Sequence, residues 1–178
     1  VSGRADIAVR AAVAGDIDEL IRLRAHLLEG GAAAGLPYAA TDAAQSAAWR
    51  AAYRSWLSER LGNGPEDTGV RVAVVPGAGR LRACATAVVD RRAPSPACPS
   101  GLAGWIQSVV TDPRDRGQGL ATAVLEHLLG WLRERGADEV VLRTTPAGAS
   151  LYLRSGFRPS GEELLFTSLR AAEEATPV

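Results

Sequence analysis

Apolar residues along the chain follow two rhythms. Behind Asp16, the residues Ile17, Leu20, Ile21, Arg24, Leu27 and Leu28 recur at helical spacing, which predicts a helix running to about Glu29 with Asp16 as its N-cap. Gly30, Gly31, Gly35 and Pro37 break it. A second helix is expected from Thr41 or Asp42 to about Leu61, ending at Gly62, with Trp49, Ala52, Tyr53, Trp56 and Leu57 on one face. That aromatic face fits core packing; it equally fits a partial lining, with Tyr38, of a ligand pocket.

Elsewhere the rhythm is that of strands. Asp6 to Val9 reads as a short edge strand. Val70–Val75 and Leu81–Asp90 are β-rich and joined by Pro76-Gly77-Ala78-Gly79, a hairpin signal. The prolines of the Arg91–Gly101 stretch predict an irregular loop, followed by a strand over Trp105–Thr111 that Asp112-Pro113 ends. Leu120, Ala121, Val124, Leu125, Leu128, Leu129 and Leu132 mark a strongly amphipathic helix closing at Gly136. Glu139–Thr144 is read as a strand, about Gly148 to Ser155 as a short helix, Leu164–Ser168 as a last strand, and residues from Ala171 as a frayed tail. This order implies an α/β (α+β) fold: helices packed on a largely antiparallel sheet with one local parallel pairing. One domain over residues 1–170 with a tail over 171–178 accounts for the pattern.

Composition narrows the function. With 20 basic and 20 acidic residues the formal charge is zero, so no broad field recruits nucleic acid or an anionic membrane. All basic residues other than the two histidines are Arg. Cys84 and Cys98 have neither metal-ligand spacing nor a disulfide framework, which suits ordinary thiols of a reducing compartment. No metal site is expected. The first ten residues hold no apolar run of signal-peptide length and no stretch approaches a membrane span, so the expectation is a cytoplasmic protein.

The chemically informative stretch is Val109-Val110-Thr111-Asp112-Pro113-Arg114-Asp115-Arg116-Gly117-Gln118-Gly119-Leu120-Ala121. It sets a glycine pair directly before a long helix, where orphan N–H groups and the positive dipole end favour an anion. Gly117 and Gly119 let backbone N–H groups approach phosphate oxygens closely. The GxxxxGK(S/T) pattern is absent, and the dinucleotide GxGxxG fails because its third glycine position is Thr122.

This segment resembles the pyrophosphate turn of the GCN5-related N-acetyltransferase (GNAT) superfamily, whose signature Q/R-x-x-G-x-G/A is met by Arg116-Gly117-Gln118-Gly119-Leu120-Ala121. Leu151-Tyr152-Leu153-Arg154-Ser155-Gly156-Phe157 is similar to the family's LYxxxGF junction, at the expected distance downstream. The resemblance implies a GNAT-like mixed sheet whose central strands splay, with acetyl-CoA as co-substrate. It implies that the backbone of Val109, Val110 and Thr111 bonds the pantetheine amides. Arg116, Gly117, Gln118, Gly119, Leu120, Ala121 and Thr122 would then hold the pyrophosphate. Thr145 stands where many relatives place a cofactor-contacting Asn. Tyr152 matches the position that commonly protonates the leaving thiolate, and a phenol with pKa near 10 is protonated at neutral pH.

The strand positions where many relatives carry a catalytic Glu hold Gln107 and Arg143, so the general base is not legible. Asp90 or Glu29 acting through water are candidates, as is His26, with His127 read as structural. The implied reaction is acetyl transfer to a primary amine, in the first instance of a small molecule. The alternatives are a protein N-terminal or side-chain acetyltransferase and a non-catalytic acyl-CoA-binding module. A homodimer is allowed by the sheet edges and the aromatic helix.

Overall fold

The computed structural model describes residues 7–29, 36–61, 69–165, 167 and 169. The elements run β1 (Arg10–Ala11), α1 (Ile17–Leu28), α2 (Ala43–Leu61), β2 (Val70–Pro76), β3 (Leu81–Arg91), β4 (Leu102–Thr111), α3 (Leu120–Glu134), β5 (Glu139–Leu142) and α4 (Pro146–Arg154). The strands form one sheet in chain order, antiparallel from β1 to β4 and parallel between β4 and β5. The parallel pair is joined by α3, as a crossover requires.

Period-two alternation divides the core between the two faces of the sheet. Val72, Val74, Leu81, Cys84 and Val110 pack with Ile17, Leu20, Leu23 and Leu57 beneath α1 and α2. Ala73, Val75, Ala83, Ala85, Ala87 and Ile106 pack with Leu120, Val124, Leu125, Leu128, Trp131 and Leu132 of α3. The alanines of β3 let α3 lie close to the sheet. Gly104 continues that allowance: a Cβ there would stand 2.4 Å from Leu132 Cδ1. Gly104→Ala is therefore expected to destabilise the protein by about 1–3 kcal/mol through overpacking. The measurement is the urea midpoint, which should fall with an unchanged denaturant slope.

Several expectations shift. The first strand lies at Arg10–Ala11, pairing Val74 and Ala73, not at Asp6–Val9. Asp6 is outside the described residues, while Ile7 and Val9 pack on the core without pairing. Asp16 stands at the N-cap position of α1 as expected, but its side chain makes no cap hydrogen bond to that helix. It closes a 3-10 turn, Ala14–Asp16, from which its carboxylate accepts the Val13 N–H at 2.8 Å and pairs with Arg10 at 2.6 Å. The second helix does begin after Asp42, whose carboxylate accepts the Gln45 N–H at 2.8 Å. β4 starts at Leu102 because its parallel partner begins opposite, with Ala103 facing Glu139. α4 begins at Pro146, whose ring fixes φ at a value suited to the first helical position. Of the expected closing strand, Leu164, Leu165 and Thr167 are exposed and outside any strand; Phe166, Ser168 and the tail at 171–178 lie outside the described residues. Among the described residues both cysteines are free and buried, and no helix is long and apolar enough to cross a membrane.

Candidate active site

The site begins at an irregularity in β4. Cys84 pairs with Val110 and Thr86 pairs with Gln107, so β3 advances two residues while β4 advances three. The extra residue makes a bulge, which bends the strand and re-aims its side chains. Ser108 takes up the distortion at φ 54°, in the left-handed region that a residue with a Cβ rarely enters. Arg24 of α1 donates a hydrogen bond to its hydroxyl. Pairing with β5 stops at Ile106 opposite Leu142, so Gln107 to Thr111 run on without a β5 partner. The result is an opening where β4 backbone is unpaired on its β5-facing edge, suited to an extended ligand that carries amides.

Past Thr111 the chain enters a 3-10 turn, Pro113–Asp115, held by an ion-pair lattice. Asp112, whose side chain is 2 % exposed, faces Arg22 at 2.8 Å, Arg114 at 3.0 Å and Arg80 at 3.3 Å. It also accepts the Arg114 backbone N–H at 3.0 Å. Hydrogen bonds from Arg114, then from Arg22, hold its carboxyl far below the usual carboxylate range despite burial. Asp115 accepts from Arg80 at 2.6 Å and Arg82 at 3.0 Å, and Arg82 reaches on to the Gln118 side chain. Arg22 is itself braced by Glu19, which accepts the Leu81 N–H at 2.8 Å. Helix α1, the β2–β3 hairpin and the turn are thereby clamped together.

Gly117 and Gly119 follow at φ 77° and 80°. Both glycines are used for a conformation that side chains resist. Gly119 is the N-cap of α3 and offers no side chain to the first N–H groups of the helix, and no acidic residue occupies that first turn. Arg116, Gly117 and Gln118 are exposed, Leu120 is buried, and Ala121 and Thr122 are intermediate. The uncapped helix end thus presents free donors beside a cation, as an anion requires.

Tyr152, on α4, is half-buried and packs on the α3-side core together with Val109, Leu142 and Phe157. Its ring meets Phe157 edge to face at 6.0 Å, and burial raises its phenol above the ordinary value. Thr145 is the N-cap of α4 but makes no side-chain cap bond.

On the opposite face of the sheet a cleft of about 530 Å³ opens, with Arg24, Trp49, Tyr53, Trp56, Arg60 and Gln107 among its walls. The aromatic face of α2 therefore does both things the sequence allowed: its rings pack on the α1-side core and line this cleft. Tyr38 is 56 % exposed and not among the walls. Burial pushes the Tyr53 phenol up to about 12. No carboxylate or histidine lines the cleft among the described residues. Glu29 instead accepts Trp49 Nε1 at 2.9 Å and Arg50 at 2.6 Å, bonds that lower its pKa, and Asp90 pairs with Arg92 at 2.7 Å. His127 is held toward its neutral form by burial on α3. No group of three or more His, Cys, Asp and Glu side chains among the described residues could hold a metal ion.

Residues 36–157 match the family model "Acetyltransferase (GNAT) family". The chain belongs to this family. Over 106 residues it is 32 % identical to glucosamine 6-phosphate N-acetyltransferase 1 of rice, Oryza sativa subsp. japonica, a match covering 60 % of this chain and 62 % of that enzyme. The chain thus spans about three-fifths of that curated relative's length. Among solved structures, a GCN5-related N-acetyltransferase from Ralstonia eutropha superposes with TM-score 0.70 at 26 % identity, covering 90 % of this chain and 97 % of the other. A predicted acetyltransferase from Clostridium acetobutylicum, crystallised with acetyl-CoA, superposes with TM-score 0.70 at 20 % identity, covering 90 % and 95 %.

Within this GNAT fold, sequence reading missed the lattice around Asp112 and Asp115 and the two arginines of the cleft wall. Arg24 did leave a signal, because it falls on the otherwise apolar stripe of α1 where a solvated Arg is out of place. Asp112 left none beyond its place at a strand exit.

Proposed function

We propose that this chain is an N-acetyltransferase that moves an acetyl group from acetyl-CoA to a primary amine of a small molecule, by direct attack within a ternary complex. The observation that carries this reading is the course of β4, which parts from β5 after Ile106, bulges at Ser108 and leads into the Gly117–Gly119 turn at an uncapped helix. Backbone groups of Val109, Val110 and Thr111 would bond the pantetheine amides in the opening. The N–H groups from Gly117 to Thr122 would bind the pyrophosphate, with Arg116 supplying charge and Gln118 held in place by Arg82. Thr145 would add one hydrogen bond from the start of α4.

In the reaction the amine nitrogen bonds to the thioester carbon and the carbon–sulfur bond breaks. A backbone N–H near Val109 would stabilise the oxyanion, and Tyr152 would give its proton to the departing sulfur. An alkylammonium needs about 4 kcal/mol to become neutral near pH 7.4. Among the described residues no carboxylate or histidine lines the cleft, and that proton would leave through water. Arg24 at the same wall disfavours the ammonium form and so assists its loss. The small-molecule class is supported by the size of the cleft, which suits one compact ligand, and by the rice relative's name.

The test is the thermal midpoint with and without about 1 mM acetyl-CoA, with ATP as the control nucleotide. A micromolar site at about a thousandfold excess adds about 4 kcal/mol, a rise of about 10 °C for a chain of this size. The reading requires a clear rise with acetyl-CoA and little with ATP; no rise overturns it. That no base lines the cleft among the described residues supports a second reading, an acyl-CoA-binding module without transfer. A thermal shift with no thiol release across a broad amine panel would establish that one.

A further inference from the structure

We infer that the acceptor is an anionic amine: a compact molecule bearing one carboxylate or phosphate beside a planar or apolar body, and not a polycation. The inference rests on the acetyltransferase reading for what enters the cleft, but its binding chemistry comes from the walls alone. Two guanidinium groups, Arg24 and Arg60, stand in those walls and no carboxylate accompanies them there among the described residues. Both arginines are partly exposed, and with two cations and no carboxylate in the described wall the cleft carries net positive potential, which favours an anion that arrives with the ligand.

The two arginines are also held ready. Arg24 lies over the Tyr53 ring at 4.6 Å and donates to Ser108 Oγ. Arg60 lies over the Trp56 ring at 4.2 Å and donates to the Trp56 carbonyl at 3.0 Å. Glu59 touches Arg60 at 3.4 Å, but its side chain is 69 % exposed and it is not part of the wall. A guanidinium stacked on an aromatic face keeps edge N–H groups available for a planar or tetrahedral anion. A third arginine stacked on a ring of α2, Arg50 over Trp49, differs in both respects: Glu29 already neutralises it and it does not line the cleft.

Geometry assigns the two ends of the ligand. Arg24 and Gln107 adjoin the Ser108 bulge, where the proposed thioester approaches, so the amine belongs at that end. Arg60 stands in the last turn of α2, four residues after Trp56, and is the anchor for the anion. The rings of Trp49, Tyr53 and Trp56 cover the body between. Spermidine-like or multiply aminated acceptors meet two like charges and, among the described residues, no carboxylate, which costs affinity at every amine beyond the first.

Matched acceptor pairs test this on the acetyl-CoA-loaded protein: L-phenylalanine against its amide, and glucosamine 6-phosphate against glucosamine, with spermidine as the polycation. The anionic member of at least one pair should be acetylated with a kcat/KM at least tenfold above its partner and above spermidine. Which pair responds tells carboxylate from phosphate. Arg60→Gln should shrink the ratio at least fivefold through KM. Binding is read in parallel as quenching of tryptophan fluorescence by phenylacetate, phenyl phosphate and phenethylamine, which needs no turnover. Either anion should bind at least tenfold tighter than phenethylamine, and Arg60→Gln should abolish the difference. Equal or tighter binding of phenethylamine, or preferred acetylation of spermidine or of the neutral members, overturns the inference. An anion preference in the binding arm with no acetyl-CoA thermal shift would instead remove the acetyltransferase reading and leave the anion site standing.

Discussion

Tyr152→Phe should lower kcat about 100-fold, the low end of what a positioned general acid contributes, with little change in the KM for acetyl-CoA. The substitution removes one oxygen and keeps the ring, so the edge-to-face contact with Phe157 and the packing on the α3-side core survive. Thermal stability and the acetyl-CoA-induced shift should therefore match those of the parent chain. The pH profile adds a second readout. Burial raises the phenol above its ordinary value, so it stays protonated through neutral and mildly basic pH, and the parent's alkaline limb should lie high. Unchanged turnover in Tyr152→Phe would show that the thiolate leaves without this proton, and the assignment would fall.

The second large effect concerns stability. Asp112→Asn removes the charge that Arg22, Arg80 and Arg114 share and leaves those cations facing one another around a buried amide. Breaking a buried pair typically costs 3–5 kcal/mol, and the partial exposure of the arginines argues for about 3 kcal/mol here. For a chain of this size that is a fall of about 10 °C in Tm. The pH dependence has a definite sign. A carboxyl whose pKa is lowered on folding contributes stability above its unfolded value of about 3.9, and loses that contribution as pH falls toward the folded value. The parent should lose stability between about pH 4 and the acid extreme, whereas Asp112→Asn, measured by urea unfolding across the same range, should show a flatter acid limb. A Tm within a degree or two of the parent would show that the arginines find water or other partners at no cost.

What the sequence made legible follows from how local each signal is. The apolar stripe of α3 and the alternation of β2 and β3 are written within single elements, and the elements formed there. Gly117 and Gly119 could be read because positive φ before a helix has a residue preference of its own. The Ser108 bulge could not, because it exists only in the register between β3 and β4, and serine carries no preference for it. The Asp112 lattice was equally hidden, since its closest cross-element partner, Arg22, lies 90 positions away. Trp131 was missed as a core residue on the α3 stripe, although it is buried with Arg71 and Arg135 over its ring. In the cleft, periodicity gathered Trp49, Tyr53 and Trp56 onto one face but could not say whether that face met protein or open space, and it meets both.

The clamp on the Pro113–Asp115 turn also bears on what any shorter piece of this chain can do. A fragment spanning residues 102–157 would contain both family signatures complete, from the opening strand to Phe157. It would lack Arg22, Arg80 and Arg82, the cross-element groups that fix Asp112, Asp115 and Gln118. Such a fragment would keep the words of the cofactor motif without its shape. Recognition at this turn is thus a property of the assembled domain, and a motif match in a truncated reading frame would overstate what the encoded peptide can bind.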